Sequence, residues 1–164
     1  MFVDIGNTNV KILSENGRIT IIPTARFSNS NVLGGNTSTG AREEVIVASV
    51  CPEVLKKINK KYFLIDTNSK LSFNYSLEGV GVDRLLAVEG ALTKSSAPLV
   101  VINAGTAITV NFVSLRNNEP YLEGGMILPG FSLSLTALNE HTAQLPKLNV
   151  EAPNGIIGTT TKDA

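Results

Sequence analysis

The sequence predicts an α/β protein of two small lobes, residues 1–78 and 79–164, each a sheet accompanied by amphipathic helices. Three observations carry this expectation. Both halves hold short apolar runs rich in β-branched residues, beside segments whose apolar spacing suits a helix. A polar turn built on glycine and threonine recurs once in each half, each time between two strand-like runs. And 164 residues give room for one domain or two small lobes, not for a large multidomain chain.

Composition narrows the class. A hydrophobic share of 43% supplies a sizeable core, and 17% charged residues argues against general disorder. Lys and Arg number 14, as do Asp and Glu, so no net charge favours nucleic acid or an anionic membrane surface. One cysteine, Cys51, makes no internal disulfide and fits a reducing cytoplasm. The chain opens directly on strand-like MFVDIG, without a basic segment leading into an apolar one, and no apolar run approaches a membrane span. A soluble cytoplasmic protein is expected. One histidine and one cysteine leave no basis for a zinc site.

In chain order, residues 1–5 and 9–13 read as strands joined around Gly6-Asn7-Thr8. Asn16-Gly17 between apolar runs signals a tight hairpin, which makes 18–22 the third strand, ending at Pro23. Residues 27–41 are rich in Ser, Asn, Gly and Thr and read as a loop with at most a short helix. A buried strand follows at 45–50. Residues 52–60 are expected as a helix, opened by proline and ending in basic residues, and 62–65 as another strand. Lys56, Lys57, Lys60 and Lys61 read as a solvated helix face and end, and Cys51 as a small core residue.

The second half begins with Glu78-Gly-Val-Gly-Val-Asp-Arg84, leading into the apolar spacing Leu85, Leu86, Val88, Leu92 of an amphipathic helix. Residues 99–110, LVVINAGTAITV, read as strand, turn and strand, and 121–128 as a further strand. Pro129-Gly130 breaks the chain before a helix expected over 133–143, in which the lone His141 reads as a surface or C-terminal residue. The tail from Lys147 is punctuated by Pro153, Gly155 and Gly158.

The two polar interruptions, FVD-IGNT-NVKIL and VIN-AGT-AITV, share one plan: a strand ending in Asp or Asn, one residue, glycine, then threonine within two positions, then a second strand. Glycine permits a tight turn whose backbone N–H groups face an anion, and the threonine hydroxyl adds a directional donor. A carboxylate at the strand end can hold a cation or its waters. Either turn alone reads as an ordinary β-turn. The pair, one per half, points to a polyphosphate clamped from both sides. No G-x-x-x-x-G-K-[ST] occurs, so a P-loop is excluded as the cradle, and Gly79-Val-Gly81 lacks the further glycine of a dinucleotide fingerprint because Arg84 stands there.

The ordered set DIGNTNVK (4–11), GVDR (81–84), NAGTA (103–107), EGGMILPG (123–130) and TAQLP (142–146), with a weaker TTKDA (160–164), resembles type III pantothenate kinase, of the acetate and sugar kinase/Hsp70/actin superfamily. The resemblance implies two RNase H-like lobes with ATP between them, a homodimer, and phosphorylation of pantothenate as the first step of coenzyme A synthesis. It implies that Asp4, Ile5, Gly6, Asn7, Thr8, Asn9, Val10 and Lys11 bind the ATP phosphates, with Asp4 near magnesium, and that Gly105 and Thr106 contact ATP. Asp83 is implied as the general base. Gly81, Val82, Asp83 and Arg84 would line the pantothenate site together with Thr161 and Tyr75, the tyrosine lying one residue closer to GVDR than is usual in the family.

The chemistry of these residue types agrees. Phosphoryl transfer needs positioning, charge neutralisation and an oriented nucleophile. A carboxylate can take the proton of an attacking alcohol, and Asp83 stands at the start of an expected helix, where the dipole favours negative charge. The forked, permanently cationic Arg84 suits a substrate carboxylate. The plainer alternative is a helix cap at Asp83 and a surface ion pair at Arg84. Lys11 likewise either touches phosphate or is simply the exposed residue of an alternating strand.

Two departures from the family shape the expectations. Asn103 stands where the family has an aspartate that binds potassium or ammonium, and a neutral amide holds such a cation weakly or not at all. Family members also continue past the segment matching TTKDA into further elements of the second lobe. An incomplete second lobe is therefore expected, with an apolar sheet face left bare. The rival from another class is a non-catalytic relative that binds a nucleotide or metabolite as an accessory or regulatory factor. Asn103 favours it, whereas intact Asp4, Asp83 and Arg84 tell against it.

Overall fold

The computed structural model describes residues 1–28, 44–59, 61–152 and 155–162. From residue 29 onward the loop expected over 27–41 lies outside the described residues, as do Lys60 and the last two residues of TTKDA. The fold is α/β, with two sheets.

The first sheet has the order β3-β2-β1-β4-β5. Its strands are β1 (Phe2–Ile5), β2 (Asn9–Leu13), β3 (Ile19–Pro23), β4 (Val45–Ser49) and β5 (Tyr62–Ile65). β1, β2 and β3 form an antiparallel meander, while β4 runs parallel to β1 and β5 parallel to β4. Alternation sends Val3, Ile5, Val10, Ile12, Val45 and Val47 to one face, where they meet Phe27, Val54 and Ile58 in the first core. The helix expected over 52–60 is shorter. Helix α1 spans Pro52–Leu55, and then Lys57 N–H donates to Val54 O and Ile58 N–H to Leu55 O. These three-residue spacings tighten the chain out of α-helical geometry and bring Ile58 back onto the core.

The second sheet has the order β6-β9-β8-β7. Its strands are β6 (Asn74–Tyr75), β7 (Leu99–Ala104), β8 (Ala107–Arg116) and β9 (Glu119–Pro129). Helix α2 (Val82–Leu92) and helix α3 (Phe131–His141) complete the half. Sequence reading ends the strand after the second turn at residue 110 and starts the next at 121. The structure instead shows one long hairpin, joined by Asn117-Asn118 at φ values of 53° and 65°. Two left-handed central residues give the mirror-image turn that matches strand twist, and asparagine tolerates that region. β6 pairs with β9, so the changeover between sheets falls between Ile65 and Asn74.

Leu85 and Val88 of α2 pack with Phe73, Val101, Val113 and Leu122 in the second core. α2 also contacts β4 of the first sheet, so it stands where the two sheets meet. On the opposite face of the second sheet Val100, Ile102, Phe112, Met126 and Leu128 are 40–64% exposed, the bare apolar face expected from the sequence.

Candidate active site

Each sheet contributes one antiparallel hairpin whose turn is a glycine–threonine interruption, and the two turns touch. Thr8 Oγ1 and Thr106 Oγ1 lie 2.5 Å apart, a hydrogen bond between residues 98 positions apart in the chain. In the first turn Gly6 N–H donates to Asn9 O at 3.0 Å. The buried Thr24, in the 3-10 turn Thr24–Arg26, fixes the turn from behind: its N–H donates to Thr8 O and its hydroxyl to Gly6 O, both at 2.8 Å. In the second turn Gly105 N–H donates to Ala107 O at 3.0 Å, and Gly130 N–H donates to Thr106 O at 2.9 Å. Any Cβ at Gly130 would collide with the carbonyl oxygens of Gly105 and Thr106. The break before α3 therefore serves the turn, while Gly130 O accepts from Ser134 N–H in the helix's first turn.

Asp4 and Lys11 are register partners on β1 and β2, and Lys11 Nζ lies 3.4 Å from Asp4 Oδ2, with both side chains about half exposed. The first turn's Asn7 Oδ1 accepts from Cys51 Sγ at 3.7 Å. Ile5 and Val10 are buried core residues flanking the turn, and Asn9 begins β2. Among the described residues no cluster of three or more His, Cys, Asp or Glu side chains forms.

Helix α2 begins after Gly81, whose carbonyl accepts from Arg84 N–H at 3.1 Å and from Leu85 N–H at 3.3 Å. Val82 is buried and anchors this first turn. Asp83 is exposed in it, with its carboxylate curled back over Gly81. Arg84 reaches the other way: its Nε donates to Asn111 Oδ1 on β8 at 2.8 Å. The Tyr75 hydroxyl donates to Thr67 O at 2.7 Å, and its ring packs beside Phe73, 6.1 Å between centroids. Thr161 is exposed and lines a cavity of about 640 Å³ with Leu135, Leu138, Leu145 and Pro146.

The family model for type III pantothenate kinase matches residues 1–164. The chain belongs to that family. A type III pantothenate kinase from Caulobacter vibrioides is 37% identical, with 76% of this chain and 51% of the relative covered. One from Finegoldia magna is 30% identical, covering 98% of this chain and 70% of the relative. The chain thus spans between about half and seven tenths of the length of these two relatives. Among solved structures, a conserved putative Baf family transcriptional activator from Campylobacter jejuni shares the fold, with a TM-score of 0.65 at 21% identity over 99% of this chain and 69% of that one.

Within this family member the structure joins some of the expected residues and leaves others apart. Thr8 meets Thr106, and Asp4 meets Lys11. Among the described residues, no hydrogen bond or ion pair links Asp83, Tyr75 or Thr161 to either turn. Asn103 is exposed on β7 and pairs in register with the buried Thr109 of β8. Three residues outside the expected site set, Thr24, Asn111 and Gly130, hold the expected ones in position. Only Gly130 carried a visible signal, the Pro-Gly break that closes EGGMILPG.

Proposed function

We propose that this chain catalyses ATP-dependent phosphorylation of pantothenate to 4'-phosphopantothenate, the first step of coenzyme A biosynthesis, with its two sheets acting as RNase H-like lobes around the nucleotide. The observation that carries this reading is the contact between the two glycine–threonine turns, one from each sheet, at Thr8 and Thr106. Two hydroxyls converging from opposite sheets, each on a glycine turn, suit a polyphosphate. The family membership supplies the substrate class.

In this reading residues 4–11 cradle the ATP phosphates from one side and Gly105 and Thr106 from the other. Lys11 neutralises phosphate charge. Asp4 would hold magnesium. A single half-exposed carboxylate fits that ion, which commonly binds one or two carboxylates together with substrate phosphates and water. When bound, the ion spreads the charge that develops on the transferred group. Asp83 takes the proton of pantothenate's primary alcohol as that oxygen attacks the γ-phosphorus, and ADP leaves with the electron pair of the broken bond. Gly81, Val82 and Arg84 shape the pantothenate site, and Arg84 pairs with the substrate carboxylate. Tyr75 and Thr161 belong to the same site by family resemblance. Asn103 lacks the charge to hold potassium or ammonium firmly, so activation by either ion should be weak. The family resemblance also supports a homodimer, and the single cysteine fits a reducing cytoplasm.

The test is ATP turnover with and without pantothenate, using wild type and Asp83→Asn. Pantothenate-dependent turnover that falls at least about a hundredfold in the variant is expected from loss of a general base. Ligand binding without turnover in the wild type would instead favour the accessory or regulatory reading.

A further inference from the structure

We propose that Asn111 is a positioning residue for the substrate carboxylate, acting through Arg84. The inference rests on the kinase reading above and adds a residue to it.

Asn111 lies in the middle of β8 and is 0% exposed. It shares its face of the sheet with its register partners Val101 and Gly125, and with Thr109 two positions along the strand. α2 packs on this face. Asn111 Oδ1 accepts from Arg84 Nε at 2.8 Å, whereas Asn111 Nδ2 and the neighbouring Thr109 Oγ1 are buried without a protein partner among the described residues. A core position that leaves an amide donor unpaired is poor for folding, because a buried polar group without a partner loses its hydration uncompensated. An apolar residue of the same shape would suit the core better. The asparagine therefore looks to Arg84 for its reason.

Arg84 has two ways to grip a carboxylate, side-on through Nε and one terminal nitrogen, or end-on through both terminal nitrogens. Asn111 occupies Nε and so removes the first. Gly125 seats the other end, since a Cβ there would come within 2.8 Å of Arg84 Nη2. With Nε tied down and the half-buried side chain wedged over Gly125, the guanidinium presents its terminal pair in one orientation. Because the amide is neutral, the full positive charge of Arg84 stays available to the ligand. The same face carries Asn103 beside Thr109. A strip of polar side chains thus runs along the sheet from the second turn to Arg84.

The test compares wild type with Asn111→Leu in turnover and in calorimetric binding. The ligands are pantothenate and pantothenol, in which a primary alcohol replaces the carboxylate. For Asn111→Leu the KM for pantothenate should rise about tenfold, the size of one charge-assisted hydrogen bond's misplacement. The kcat should stay within about twofold, the KM for ATP should be unchanged, and the thermal midpoint should match or exceed the wild type's. The wild type should favour pantothenate over pantothenol, and the variant should lose that preference. If Asn111→Leu fails to fold, Asn111→Ser withdraws the acceptor from Nε and should show the same pattern. An unchanged pantothenate KM, or an equal loss for both ligands, overturns the inference while leaving the kinase reading intact. A wild type that neither turns over nor binds pantothenate overturns both.

Discussion

Gly130 has no side chain because its neighbour leaves no space for one. Its Cα faces the carbonyl oxygens of Gly105 and Thr106, and its N–H donates to the latter. Gly130→Ala should therefore push the second turn away from α3, at a cost of about 1–3 kcal/mol, the usual range for overpacking a tight contact. The measurements are chemical denaturation and ATP binding. A variant as stable as the wild type, with unchanged nucleotide affinity, would mean that the turn does not need this support. At this scale the sequence was legible where the signal is local. Glycine, threonine and a strand-ending carboxylate announce a turn within a few residues, which exposes Asp4, Thr8 and Thr106. Thr24 and Asn111 were not legible, because their partners lie 18 and 27 positions away. A threonine after Pro23 and an asparagine inside an apolar strand look ordinary until the fold supplies those partners.

At the scale of elements, the β8–β9 hairpin was the main feature hidden from sequence reading. Its turn, Asn117-Asn118, lacks the glycine that usually marks such hairpins, and Asn111, Ser114 and Arg116 interrupt the apolar pattern of β8. Ser114 and Arg116 have their own use on the surface. Glu123 on β9 accepts from the Arg116 guanidinium and from Ser114 Oγ at 2.5 Å, and Arg116 lies 3.7 Å from the centroid of the Tyr121 ring. The hydrogen bonds from Arg116, then from Ser114, hold the Glu123 carboxyl below its ordinary range, and Glu123 raises Arg116 in turn. The sign follows from linkage. A carboxyl whose pKa is lower folded than unfolded adds stability above its ordinary pKa and loses it as pH falls through the lowered folded value. Acidification should thus loosen this hairpin, and Glu123→Gln should remove that part of the pH dependence. Because the group is exposed, the effect should be small and screened by salt. NMR titration of the Glu123 carboxyl beside thermal melts at acidic and neutral pH measures both. A carboxyl titrating at or above the ordinary value would sink the idea.

For the molecule as a whole, two sheets were readable because each half carries its own hairpin and buried strands. How the halves meet was not readable, since that depends on surfaces with no periodic signature. Among the described residues they meet where α2 packs against β4 and where Thr8 bonds Thr106. The second contact is small, yet it sets the distance between the two turns and so the width of any clamp they form. If the hydroxyls bond in solution, Thr8→Val and Thr106→Val remove the same interaction. Each should cost about 0.5–1.5 kcal/mol of stability, and the double variant should cost little more than either single one. A coupling near the single-variant cost is therefore expected from denaturant unfolding of the wild type, both single variants and the double variant. Strictly additive losses would mean that the turns stand apart, each threonine serving only its own hairpin. Saturating ATP supplies the complementary measurement. Phosphate oxygens that take over the hydroxyls would replace the direct bond, so the coupling should shrink when nucleotide is bound, while both single variants lose nucleotide affinity.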